Sequence, residues 1–152
     1  MMMDAILDDV LEKNTQSHFI LNETLKKDSL FICDFDFTTL RLINNVSVPW
    51  CVIIPRKNNI IHLTDLSEIE QNMLMQDVRK VASLFQKIYT PDRVNIGMLG
   101  NMVPQMHWHV IARTKDDPAW PGPVWGNVPS QPYSVQAAEL LISQINDELD
   151  KV

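Results

Sequence analysis

Apolar residues recur along this chain at two different spacings, and the switch from one to the other marks out its elements. Near the start, Ile6, Leu7, Val10 and Leu11 stand at helical spacing within residues 4–13 and predict a short amphipathic helix. Phe19-Ile20-Leu21 reads as a brief strand or a packed loop. Ser29 to Asp34 and Thr39 to Ile43 carry the pattern of strands, and Asn44-Asn45 follows as a turn dipeptide that begins a hairpin. Val46 to Pro55 is the most apolar stretch and predicts a central strand, with Pro49 marking an edge or bulge within it. Arg56 to Asn59 is a polar loop.

The period then lengthens. Ser67 with Glu70 three residues on forms a capping box. Behind it Ile69, Met73, Leu74, Val78, Val81, Phe85 and Ile88 recur every three or four residues, which predicts a helix over 67–89 that stops before Pro91. Arg93 to Gly97 and Val103 to Arg113 read as strands separated by a turn. Residues 114–133 hold five of the nine prolines and two of the four glycines, so no regular element persists there. Two indoles, Trp120 and Trp125, stand in that segment and must lie against something. Ser134 caps a last helix, to about residue 150, whose stripe is Val135, Ala138, Leu141, Ile142, Ile145 and Leu149. Strands lie close together before and after the long helix, which favours an antiparallel α+β sheet over alternating βαβ units.

At 152 residues, 45% of them hydrophobic and 21% charged, the chain is one globular domain with a sizeable core. A net charge of −6 argues against a nucleic acid polymer as partner, though not against a single nucleotide in a local pocket. The apolar runs are far too short to span a membrane. Asp4 follows Met1-Met2-Met3 at once, with neither the basic nor the long apolar region of a signal peptide, so a cytoplasmic protein is expected. In that compartment Cys33 and Cys51 are expected to be thiols.

The chemistry concentrates in Asn95 to Arg113, read as NIGMLGNMVPQMHWHVIAR. On a strand, successive side chains point to opposite faces, so Gln105, His107 and His109 share one face while Met106, Trp108 and Val110 turn to the core. The three polar groups then stand about 7 Å apart at Cα, twice the strand rise. Gly97, Gly100 and Asn101 punctuate the chain just before them, and loops of that kind bring backbone N–H groups close to phosphate oxygens.

This segment resembles the signature of the HIT (histidine triad) superfamily of nucleotide hydrolases and transferases. The family pattern is His-φ-His-φ-His-φ-φ, with φ apolar, after an Asn and a Gly-rich turn. His107 and His109 match the middle and third histidines, Met106, Trp108, Val110 and Ile111 the apolar positions, and Asn95 and Gly100 the upstream Asn and Gly. Gln105 stands in place of the first His. The resemblance covers roughly residues 30–113. It implies an α+β fold in which a five-stranded antiparallel sheet carries a long helix on one face, plus a C-terminal helix, all in a single domain over 1–152. It also implies a homodimer that extends the sheet across a twofold axis.

The resemblance makes His107 the nucleophile on the α-phosphorus of a purine nucleotide derivative, through a nucleotidyl-histidine intermediate. Dinucleoside polyphosphates and nucleoside phosphoramidates are both open as substrates. His109 would hydrogen-bond phosphate oxygens or the leaving group. Gln105 can donate to phosphate or orient His107 but does not titrate, so turnover is expected to suffer more than binding. Asn95, Gly100, Asn101 and Asn44 are the candidate substrate-binding residues. Asn44 or Asn45 falls near the family's ribose-binding position, and Trp50 near a position that in many members is a fourth His. Leu30, Phe31 and Leu42 are candidates to wall a base pocket, against core packing. Arg113 would reach a phosphate or make a surface salt bridge. The Trp/Pro-rich segment is expected to fold over the site or a partner subunit. No cofactor and no metal are expected. His-x-His on a strand is also a zinc half-site, which only His18 or His62 could complete. A nucleotide-binding module with little catalysis is the alternative to an enzyme.

Overall fold

The computed structural model describes residues 18–151, so the helix expected over 4–13 lies outside the described residues. Helix α1 (Glu23–Asp28) leads into β1 (Ser29–Asp34), β2 (Thr38–Ile43) and β3 (Trp50–Pro55). A 3-10 turn at Leu63–Asp65 precedes the long helix α2 (Glu68–Tyr89), and β4 (Arg93–Gly97), β5 (Trp108–Arg113) and α3 (Val135–Leu149) follow. The strands form one antiparallel sheet in the order β1-β2-β3-β5-β4, with β3 at its centre. This is the expected α+β architecture. Among the described residues no helix is long and apolar enough to cross a membrane.

Helix α2 forms where its spacing placed it. The Ser67 hydroxyl accepts the Glu70 N–H, and Glu70 returns the bond to the Ser67 N–H at 2.8 Å. Thr90 ends the helix in the left-handed region, φ 42°, just before Pro91. Its apolar stripe (Leu74, Val78, Val81 and Phe85) packs on one face of the sheet against Leu40, Leu42, Cys51, Ile53, Val110 and Ala112. Helix α3 adds Ile145 and Leu149 to the same core. Its first turn lies outside that core, so Val135 is exposed rather than on the buried stripe. Leu42 is wholly buried in the core, leaving Phe31 as the exposed apolar side chain of the trio suggested for a base pocket.

The opposite face has two covers. Phe19, Leu21 and Leu25 pack on Val52 and Ile54, so residues 19–21 are a packed loop, and a short helix follows it. Val48, Val124, Trp125 and Val128 pack on Trp50 and Ile111. Cys33 and Cys51 are both free thiols, on strands separated by β2.

Two boundaries moved for identifiable reasons. Strand β3 begins at Trp50 rather than Val46, because the Val46 N–H is taken by the Gln131 carbonyl. Strand β5 begins at Trp108 rather than Val103. Pro104 has no N–H to give a ladder, the Met106 N–H bonds the Ile60 carbonyl at 2.9 Å, and pairing with β3 ends at Ile53 opposite Trp108. The expected outcome of Ser67→Ala is a loss of about 1 kcal/mol, and of Phe85→Ala a loss of about 3–5 kcal/mol, both read by denaturant unfolding.

Candidate active site

His109 faces away from the α2 side, in a row fixed by strand register. Phe31 pairs with Arg41, Arg41 with Val52, Val52 with His109, and His109 with Gly97. His107 lies just before the strand and keeps the alternation. The two rings stand 4.9 Å apart, edge to face, and both residues are buried. Met106 and Val110 turn the other way into the core, as the alternation requires.

Each imidazole has its Nδ1 committed. His107 Nδ1 lies 2.7 Å from the Gln105 carbonyl oxygen, which can only accept, so Nδ1 carries the proton and the Nε2 lone pair of the neutral ring is free. His109 Nδ1 lies 2.9 Å from Trp50 Nε1, and an indole can only donate, so the His109 proton sits on Nε2. Burial, and then the neighbouring His107, push the His109 pKa down to about 3.

The Gln105 side chain does not join the row. Its Oε1 accepts the Asn22 N–H and its Nε2 donates to the Ile20 carbonyl, each at 2.9 Å, so the amide ties the N-terminal cover to the segment that carries His107. Its main chain orients His107 instead. Asn95 accepts a hydrogen bond from Arg113 Nη1 at 2.8 Å. Asn44 accepts the Tyr133 N–H, and Asn45 donates to the Pro129 carbonyl, so both hold the end of the Pro-rich segment. Gly100 adopts φ +69°, a left-handed conformation that favours glycine, and Asn101 next to it is exposed.

Arg113 makes a buried ion pair rather than a surface salt bridge. Only 1% of it is exposed. Its guanidinium grips both carboxylate oxygens of Asp117, at 2.6 and 3.0 Å, and donates to the Gly122 carbonyl. Trp120 stacks near it. This clamp folds the Pro-rich segment back over the sheet and sets Trp125 against His109, ring centroids 5.2 Å apart, and against Trp50 at 6.3 Å. A Cβ on Gly97, opposite His109, would stand in van der Waals contact with the Trp125 ring at 3.6 Å. Trp50 was expected only near a fourth-His position, Trp125 only within a segment folding over the site or a partner, and Gly97 only as a loop glycine; all three meet at His109. The two indoles were visible in the sequence, but only the register brings them to His109.

Among the described residues no group of three or more His, Cys, Asp and Glu could hold a metal ion. A hollow of about 480 Å³ opens farther along the same row, lined by Phe19, Lys26, Phe31 and Arg41 among others.

The imidazole pair is buried on the face of the five-stranded antiparallel sheet opposite helix α2, beneath Trp125. A family model described as the HIT domain matches residues 24–116, and the chain belongs to the HIT family. It is similar to a histidine triad protein from Bradyrhizobium japonicum, with 32% identity and a TM-score of 0.84 over 88% of this chain and 99% of that one. A HIT protein from Sinorhizobium meliloti is 35% identical, with a TM-score of 0.83 over 85% and 96% of the two chains. A bis(5'-nucleosyl)-tetraphosphatase from Schizosaccharomyces pombe is 32% identical over 75 residues, which is 46% of this chain. The chain spans 41% of that relative's length.

Buried His109 and half-buried Asp77 oppose each other as pH changes. The His109 pKa lies below its ordinary 6.5, so its contribution is present above that pH and is lost as pH falls toward about 3. Asp77, which accepts a bond from Thr38, is raised by burial from 3.8 to about 6, so its contribution is present below 3.8 and lost as pH rises through 6. Between pH 4 and 6 the two offset each other. Asp77→Asn is expected to expose the His109 slope, losing on the order of 1 kcal/mol per pH unit from pH 6 to 4 relative to wild type. Chemical denaturation across that range checks it.

Proposed function

We propose that the protein is a nucleotide phosphohydrolase or nucleotidyl transferase acting at the α-phosphate through His107. The observation that carries this is the His107 Nδ1–H bond to the Gln105 carbonyl, which leaves Nε2 as a free lone pair beside a second imidazole. In the first step Nε2 attacks phosphorus and the bond to the leaving group breaks. In the second, water attacks the same phosphorus and the electron pair of the P–N bond returns to Nε2. Splitting one displacement into two lowers each barrier. We assign His109 Nε2–H to an oxygen whose charge grows in the transition state.

The substrate is a purine nucleotide derivative. The tetraphosphatase relative supports a phosphate-chain substrate, and the hollow at Phe31 and Arg41 supports a nucleoside placed along the row, about 10 Å or two strand spacings from His109 at its Arg41 end. Gly100 and Asn101 in the preceding loop are assigned to phosphate. Asn44 and Asn95 act on the substrate only indirectly, by fixing the Pro-rich cover. We also assign a homodimer through β4, which pairs only with β5 among the described residues and shows Ile96 to solvent.

Wild type and His107→Ala are compared on diadenosine tetraphosphate and on a fluorogenic adenosine phosphoramidate. Turnover is expected in the wild type and a loss of several orders of magnitude in the variant. AMP binding with no turnover in either would favour a binding module instead. Trp125→Ala is expected to change the ratio of kcat/KM between the two substrates. An unchanged ratio would remove the Pro-rich cover from specificity.

A further inference from the structure

We infer that this site selects acidic leaving groups, phosphoanhydrides over amides and ordinary esters, because Trp50 holds His109 as a hydrogen-bond donor that cannot become a proton donor. The inference rests on the nucleotidyl transfer proposed above and names which of its open substrates the site is built for.

A leaving amine or alkoxide needs a proton as its bond to phosphorus breaks. A leaving phosphate does not, because its charge is already spread over several oxygens. The usual source of such a proton is an imidazolium, a ring protonated on both nitrogens. His109 reaches that form only by adding a proton at Nδ1, where the Trp50 indole already donates. Two N–H groups would then face each other in a buried contact, each without an acceptor, at a cost of a few kcal/mol. The indole has little room to turn aside. Trp50 is 9% exposed, and Trp125 packs against both it and His109. The depressed pKa of His109 agrees with this geometry.

Among the described residues, the groups around the pair are all otherwise committed. The rings packed on His109 are Trp50, Trp125 and His107. His107 is the nucleophile, and its Nδ1–H stays on the Gln105 carbonyl. The Gln105 amide has no acidic proton and is taken up by Ile20 and Asn22. Arg113, farther along the same strand, is spent on Asp117, Asn95 and Gly122. The balance of the first step is therefore simple. The Nε2 lone pair forms the P–N bond, the pair of the breaking P–O bond departs on the bridging oxygen, and His109 Nε2–H steadies that charge without transferring a proton. Water then adds to phosphorus, releases its proton to solvent, and the P–N pair returns to His107.

Two measurements test this. In protein labelled with 15N in His and Trp, His109 should show a bare Nδ1 and a protonated Nε2, with coupling across the N–H···N bond to the Trp50 indole. A proton on Nδ1 overturns the inference without any substrate present. In single turnover, adenosine 5'-phosphate aryl esters of graded leaving-group pKa should slow by roughly tenfold per pKa unit, as an unassisted departure does. Diadenosine tetraphosphate should outrun an adenosine phosphoramidate by at least about a hundredfold on the same reasoning. Trp50→Phe frees Nδ1 to take a proton, so its series should be shallower, whereas a merely structural loss would slow every member alike. A steep wild-type series that flattens in Trp50→Phe supports the inference. A flat wild-type series with turnover intact, or a uniform slowing in the variant, overturns it alone. AMP binding with no turnover of any member overturns the reading beneath it.

Discussion

Both imidazoles of the site are oriented by a partner that leaves them no choice of tautomer. A carbonyl can only accept and an indole N–H can only donate, so His107 is left with a lone pair at Nε2 and His109 with a proton there. The two rings differ in chemistry although they are the same residue on the same face. The rest of the structure serves to keep those two partners still. The Gln105 carbonyl is fixed because its neighbour Met106 is bonded to Ile60 and its own side chain spans Ile20 and Asn22. Trp50 is fixed because it opens the central strand opposite Ile111 and lies beneath Trp125.

The covers over this face are held by polar interactions as well as by apolar packing. Arg113 and Asp117 form a buried bidentate pair, whose desolvation cost is offset by the further bonds to Asn95 and Gly122. Such a pair adds little net stability compared with apolar packing, but losing one partner leaves a buried charge behind. It therefore acts as a latch, with one conformation of the Pro-rich segment satisfied and others penalised. At the far end, Asn44, Asn45 and Ser47 grip Tyr133 and Pro129, so the segment is fastened at both ends with Trp125 between them.

Much of this was legible in the sequence because it depends on local rules. A capping box, a 3.6-residue stripe and the strand alternation around His107 are set by neighbours within a few residues, and helix α2, strands β1, β2 and β4, and the shared face of the two histidines all followed from them. What was not legible depends on partners far along the chain. The start of β5 is set by Ile60, the fate of the Gln105 amide by residues 83 and 85 positions away, and the burial of Arg113 by a loop that folds back on it. Asn44 and Asn95 had the right side chains for a ligand but are occupied within the protein. Donor and acceptor inventories alone do not reveal that before the register is known.

Gln105 shows how a departure from a pattern is absorbed. A histidine offers one donor and one acceptor on opposite sides of a ring, whereas an amide offers both on a short, flexible arm. That geometry suits a clamp on an extended backbone, and here Oε1 and Nε2 bond the N–H of Asn22 and the carbonyl of Ile20 as a neighbouring strand would. The position thus gives up a titratable group and gains a fixed loop. What remains for chemistry is one ring with a free lone pair and one neutral donor. Under the nucleotidyl transfer proposed above, that pair suits a leaving group that carries its own negative charge well, for which no proton has to be delivered.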